Sequence, residues 1–169
     1  MAKRQVFYSF HFDNDVMRTQ QVRNIGVIEG NKPVSANEWE EAGKKPGGIE
    51  KWIDDNMKYK SCVVVLVGTE TANRPWVKYE IRKAWEDGKG VVGIYIHNLK
   101  DPRTSNTPPL YGKCTQGANP FDQFSFNNGG AKLSSKVKCY NPKPTDPYND
   151  IAENIEQWVE EAIEIRNNA

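Results

Sequence analysis

Apolar residues gather in three short runs, at residues 6–10, 62–67 and 91–96. The second, Cys62-Val63-Val64-Val65-Leu66-Val67, and the third, Val91-Val92-Gly93-Ile94-Tyr95-Ile96, are nearly continuous in β-branched side chains. Strands buried on both faces have that composition, and they belong to parallel sheets covered by helices. Two weaker runs, at 25–28 and 137–140, read as short edge strands. Between the runs the period changes. Ile49, Trp52, Ile53 and Met57 share one helical face, as do Val77, Ile81, Ala84 and Trp85. Pro75 suits the first turn of that second helix and Gly88 suits its end. Near the C-terminus Ile151, Ile155, Trp158, Ala162 and Ile165 form one apolar stripe. Residues 13–24 also read as helix, with a poor stripe. Ser35-Ala36-Asn37-Glu38 reads as a capping box opening a short helix that carries Trp39.

Strands alternating with helices predict an α/β layer fold. The expected architecture is flavodoxin-like: a mainly parallel five-stranded sheet in the order 2-1-3-4-5, with helices on both faces. We expect a single domain over residues 1–169, a long insertion at about 98–136, and a C-terminal helix at about 149–166. The insertion is the exception to the pattern. It has no periodicity, yet it holds four prolines and four glycines, and a structureless stretch of that length is unusual in a compact domain.

Composition narrows the class. The chain has 169 residues, 23 basic and 22 acidic side chains, and a net charge of +1. That balance argues against a general nucleic-acid or membrane-surface binder. No apolar run approaches the roughly 20 residues of a membrane helix, and the start lacks a signal-peptide apolar region. Three cysteines without a C-x-x-C pair, and two distant histidines, make neither a disulfide framework nor a zinc site; we expect no metal and a reducing, cytoplasmic setting. The near-neutral total divides unevenly. Residues 141–169 carry two basic and seven acidic side chains, whereas residues 98–140 carry six basic and two acidic ones. Lys132, Lys136 and Lys138 in the basic stretch are candidates to meet an anionic ligand.

In doubly wound sheets ligands bind beyond the carboxyl ends of the strands, where the strand order reverses. For the order 2-1-3-4-5 that point lies between the first and third strands. The segments arriving there are residues 9–15 and residues 68–74, the latter running into the helix with Trp76 and Glu80. Glu80 lies beside the apolar face of its helix, so it is either a desolvated carboxylate at the crevice edge or a solvated one pairing with Lys83 or Arg74. His11 is a base, a ligand contact or a hydrogen-bonded loop histidine. Trp39 and Trp76 are stacking platforms or half-buried core aromatics. Residues 88–93 match G-x-G-x-x-G, but they end a helix and open a strand, the reverse of a dinucleotide fingerprint.

The residues now carry a resemblance. Val6-Phe7-Tyr8-Ser9-Phe10-His11-Phe12, followed by acidic residues, resembles the opening strand and first loop of bacterial TIR-like domains. Arg74-Pro75-Trp76-Val77-Lys78-Tyr79-Glu80-Ile81 resembles their W-V-x-x-E motif. Asn37-Glu38-Trp39-Glu40-Glu41-Ala42 and Gly117-Ala118-Asn119-Pro120-Phe121-Asp122 are similar to segments of the TIR-like ThsB proteins of the Thoeris antiphage system. The likeness runs from the start to about residue 140. It implies a TIR fold acting on NAD, with Glu80 catalytic and Ser9, Phe10, His11, Asp13, Trp39 and Trp76 around the nucleotide. NAD is then a substrate, and no resident cofactor is expected. The resemblance further implies a diffusible, cyclic ADP-ribose-type signal, a separate effector that it activates, a phage-derived trigger and self-association when active.

The chemistry suits one carboxylate. Breaking the nicotinamide–ribose bond has an oxocarbenium-like transition state, as glycoside hydrolysis does. The leaving group departs neutral and needs no general acid, so a glutamate that grips the ribose and stabilises the developing positive charge suffices. Two other readings remain: a non-catalytic TIR adaptor working through self-association or a partner, and a flavodoxin-like nucleoside glycosyl transferase.

Overall fold

The computed structural model describes residues 3–30, 43–125 and 130–169. Five strands, β1 (Gln5–Ser9), β2 (Glu29–Gly30), β3 (Cys62–Val67), β4 (Gly90–Tyr95) and β5 (Cys139–Tyr140), form one sheet. Every pairing is parallel, and the order is β2-β1-β3-β4-β5. The α/β, flavodoxin-like arrangement expected from the alternation is therefore present. β3 runs the full length of β4, from Cys62 opposite Gly90 to Val67 opposite Tyr95. Every residue of both strands is buried, as their unbroken apolar runs require.

Four α-helices among the described residues cover the sheet: α1 (Phe12–Arg23), α2 (Gly48–Met57), α3 (Pro75–Glu86) and α4 (Pro147–Asn167). Strand alternation divides the core in two. Val6, Tyr8, Cys62, Val64 and Leu66 pack with Val22 of α1 and with Ile151, Ile155 and Val159 of α4. Phe7, Val63, Val65 and Val67 pack on the other face with Ile53 and Met57 of α2 and Val77, Ile81 and Ala84 of α3. No helix of the described residues is long and apolar enough to cross a membrane.

Three expectations change in detail. The run at 25–28 is not an edge strand. Gly26 turns the chain with φ +79°, Ile28 buries its side chain, and the ladder with β1 begins only at Glu29. The strand expected at 137–140 shrinks to Cys139–Tyr140, because Val137 is pulled into the α3-side core. The aperiodic 98–136 segment holds 3-10 turns at Pro120–Gln123 and Leu133–Ser135. Phe121 and Leu133, at 0% and 3% exposure, anchor them in that same core. The short helix expected to carry Trp39 lies outside the described residues.

Of the glycines of residues 88–93, Gly88 turns the chain with φ +77°, and Gly90 and Gly93 serve packing. A Cβ on Gly90 would stand 2.7 Å from the Ile163 amide nitrogen of α4, and one on Gly93 would stand 2.6 Å from Cys139 Sγ. The charge division has a structural outlet too. Lys138 pairs with Glu161 of α4, and Lys136 lines a hollow with Glu161 and Glu164. These lysines face the acidic C-terminal helix, toward the amino ends of the strands, so the expectation that they meet a crevice ligand does not fit the fold.

Candidate active site

The loops after β1 and β3 stand side by side, because Ser9 is opposite Val65 in the ladder. Alternation along β1 turns Tyr8 toward α1 and α4, and Phe7 and Ser9 toward α2 and α3. Helix α3 starts from an extended Arg74 and takes Pro75 in its first turn, where the missing N–H costs nothing. Glu80 follows one turn later, between the buried Val77 and Ala84.

Glu80 is 7% exposed, and its Oε2 has no hydrogen-bond partner among the described residues. Burial pushes its carboxyl up to about 8. The Ser9 hydroxyl is near enough to favour the ionised form, which moderates that rise. Yet Ser9 Oγ, itself buried, completes no hydrogen bond of good geometry. The alternative, a solvated glutamate paired with Lys83 or Arg74, does not fit a side chain 7% exposed, and Lys83 pairs with Asp87 at 3.2 Å. His11 adds a third orphan. It is 7% exposed, its Nδ1 is unpartnered among the described residues, and burial and the nearby Arg74 lower its pKa. Buried polar atoms without partners cost roughly 1–3 kcal/mol each; Ser9 Oγ, His11 Nδ1 and Glu80 Oε2 are three of five such atoms among the described residues, with Thr19 Oγ1 and His97 Nδ1.

The remaining expected residues are distributed around this point. Trp76 is half-buried on the first turn of α3 and meets Tyr79 edge-on, with ring centroids 6.0 Å apart. Phe10 points to the other face of the sheet, packs on the α1–α4 core, and lies 6.2 Å from the Phe12 ring. Asp13 is exposed, and its carbonyl accepts from Arg103 Nη1 at 3.3 Å. Trp39 lies outside the described residues.

Sequence reasoning missed a buried ionic cluster beside the crevice. Asp15, Arg18 and Asp101 are each at most 3% exposed. Arg18 Nη1 lies 3.8 Å from Asp15 and 3.6 Å from Asp101, and Asp101 accepts from Arg103 Nη2 at 2.9 Å. Burial raises the Asp15 carboxyl to about 6 despite Arg18. Asp15 rests directly on Gly68, where a Cβ would stand 2.2 Å from its Oδ2. A cavity of about 310 Å³ adjoins the cluster, lined in part by Asn14, Thr69, Arg103 and Thr104. Glu80 is not among its lining residues. The poor stripe of α1 was the available signal: its buried face carries Asp15, Arg18 and Thr19 beside Val22.

Residues 7–101 match the family described as Thoeris protein ThsB, TIR-like domain. A relative from Bacillus cereus (strain MSX-D12), named "Putative cyclic ADP-D-ribose synthase ThsB1", is 35% identical over 142 residues, covering 79% of this chain and 69% of the relative. The matched residues include the last three residues of β1 and all of β3, α3 and β4, and thus both crevice loops and the helix of Glu80. The chain belongs to the ThsB family of TIR-like proteins of the Thoeris system.

Proposed function

We propose that this protein is an enzyme of antiphage defence that cleaves NAD between nicotinamide and ribose. In this reading it releases a cyclic ADP-ribose-type signal that activates a separate effector. The observation that carries the reading is Glu80, a carboxyl held buried near Ser9 at the end of β1, its Oε2 without a partner among the described residues. An adaptor has no use for such a group, which destabilises its own fold. The name of the Bacillus cereus relative, a cyclic ADP-D-ribose synthase, supports the same chemistry.

The proposed sequence of events follows from charge. NAD brings a pyridinium cation to the crevice, and a positive charge within reach favours the ionised form of Glu80. The carboxylate then faces the ribose, and Ser9 and His11, both orphaned, supply hydrogen bonds to the nucleotide. The C1′–nitrogen bond breaks and its electron pair leaves with nicotinamide, which departs neutral. Glu80 stabilises the sugar cation as it forms. Capture by water gives ADP-ribose. Capture by a lone pair from the other end of the same molecule gives a cyclic product. Either route releases one proton to solvent.

The test is small-molecule mass spectrometry on phage-infected cells expressing the chain or its Glu80→Gln variant. The expected result is nicotinamide and a cyclic ADP-ribose isomer with the former and neither with the latter. Full NAD cleavage by folded Glu80→Gln protein would refute the assignment.

A further inference from the structure

One buried side chain joins the 98–136 segment to the rest of the molecule. Arg18, 3% exposed, donates from Nε to the Leu99 carbonyl at 2.8 Å. Its Nη2 donates to the Gly112 carbonyl at 3.0 Å and to Thr104 Oγ1 at 3.4 Å. Its Nη1 lies between Asp15 and Asp101. Asp15 presses on Gly68 and accepts from Thr71 Oγ1 at 3.4 Å, while Thr71 Oγ1 accepts from the Gly68 amide at 2.8 Å. Arg103 grips Asp101 and donates to the Asp13 and Asn14 carbonyls. The cluster thus ties together the loop after β1, the loop leading from β3 to the Glu80 helix, and the start of the segment.

From there the segment lies over the β3 loop. Gly117 sits so close that a Cβ would stand 2.1 Å from the Gly68 carbonyl oxygen. Thr69 Oγ1 donates to the Thr115 carbonyl at 2.7 Å, and Gln123 Nε2 donates to the Ala72 carbonyl at 2.6 Å. Phe121 fastens the end of this stretch in the core that also holds Val77 and Ile81, the buried neighbours of Glu80 along α3. The segment is therefore a fixed wall against the crevice loop, with its position set at Arg18.

We propose that Arg18 is a positioning residue that holds this wall, and that the wall selects the product by keeping water from the sugar cation. The inference rests on the NAD reading above. An intramolecular nucleophile outcompetes water only when it is held in place and water is excluded. A fully partnered buried cluster suits that task. Its energetic worth against apolar packing is small, whereas its hydrogen bonds specify one geometry. Neither Arg18 nor Arg103 touches the reacting atoms.

The experiment compares the full chain with Arg18→Lys, Arg103→Ala and Gly117→Ala in phage-infected cells, quantifying nicotinamide, ADP-ribose and the cyclic product. Arg18→Lys keeps the charge and loses the fork of donors. Nicotinamide release should persist, while the ratio of linear to cyclic product rises at least about threefold, a difference of ~0.7 kcal/mol between the competing barriers. If Arg18→Lys fails to fold, the other two variants carry the test. The Arg103 side chain is 48% exposed, so its removal opens no core, and a Cβ at Gly117 forces the wall away from the Gly68 carbonyl while leaving Arg18 and its partners unaltered. An unchanged ratio in the folded variants overturns the proposal, as does ADP-ribose as the sole product of the unaltered chain. A general structural role would lower total turnover and leave the ratio alone. If the unaltered chain releases no nicotinamide at all, the NAD reading itself fails and takes this inference with it.

Discussion

Replacing Glu80 with Gln should stabilise the folded protein, and the gain should grow with pH. Burial raises the Glu80 carboxyl from its ordinary 4.5 to about 8. The folded chain then keeps this proton up to about pH 8, whereas the unfolded chain releases it near 4.5. The sign follows: the contribution of Glu80 to stability is intact below pH 4.5 and is lost as the pH climbs toward 8. At pH 7 the gap is ~2.5 pH units, and at ~1.4 kcal/mol per unit the loss is about 3 kcal/mol. Gln keeps the shape of the side chain and removes the ionisation. Its unfolding temperature at pH 7 should lie about 6–12 °C above that of the unaltered chain, at 2–4 °C per kcal/mol. At pH 4.5 the two proteins should melt together. Thermal unfolding followed by circular dichroism between pH 4.5 and 8.5 measures this directly. A difference that does not depend on pH, or a Gln variant that melts lower throughout, would refute the account of Glu80 as a buried carboxyl held at a cost. The gain in stability should coincide with loss of NAD cleavage, the trade-off expected of a strained functional group.

The same ionisation should shape the pH profile of nicotinamide release. kcat/KM should climb with pH through a midpoint near 8 and level off above it, and the limb in kcat should lie at lower pH because the bound pyridinium favours the carboxylate; a flat profile over pH 5–8 would exclude Glu80 as the ionising group. Gly68→Ala should cost about 1–3 kcal/mol, as overpacking does, because its Cβ would meet the Asp15 carboxylate at 2.2 Å; the midpoint of urea unfolding reports it, and an unchanged midpoint would mean that Asp15 moves freely. Lys138→Ala should leave the KM for NAD unchanged, since Lys138 pairs with Glu161 away from the crevice loops; a raised KM would return the basic segment to the substrate.

Legibility followed the range of the forces involved. β3 and β4 were readable because each residue of them is buried, so their runs carry no polar interruption. Helices α3 and α4 were readable because one face of each meets the sheet and leaves a stripe. The placement of Glu80 beside that stripe followed from the same spacing. β2 and β5 were harder because only two residues of each reach the ladder. The 98–136 segment was opaque for a different reason. Short turns, single anchors such as Phe121, and side-chain bonds to backbone carbonyls hold it, and none of these has a period. Apart from Asp15, the partners of Arg18 were invisible because they are far away in sequence, and a buried arginine in a helix looks the same as a solvated one until its partners are placed.

The Arg18 clamp also bears on the order of assembly. Its bonds to Leu99 and Gly112 close loops of 81 and 94 residues, and such non-local contacts bring no return until the intervening chain is ordered. The crevice is consequently a late product of folding, completed after the sheet that supports it. It should also be the first region to open, since its contacts join loop to helix end rather than strand to strand. If the chain cleaves NAD as proposed, that activity should be lost at low denaturant while the helical circular dichroism is still intact, which would make activity a more sensitive gauge of the native state than the fold itself.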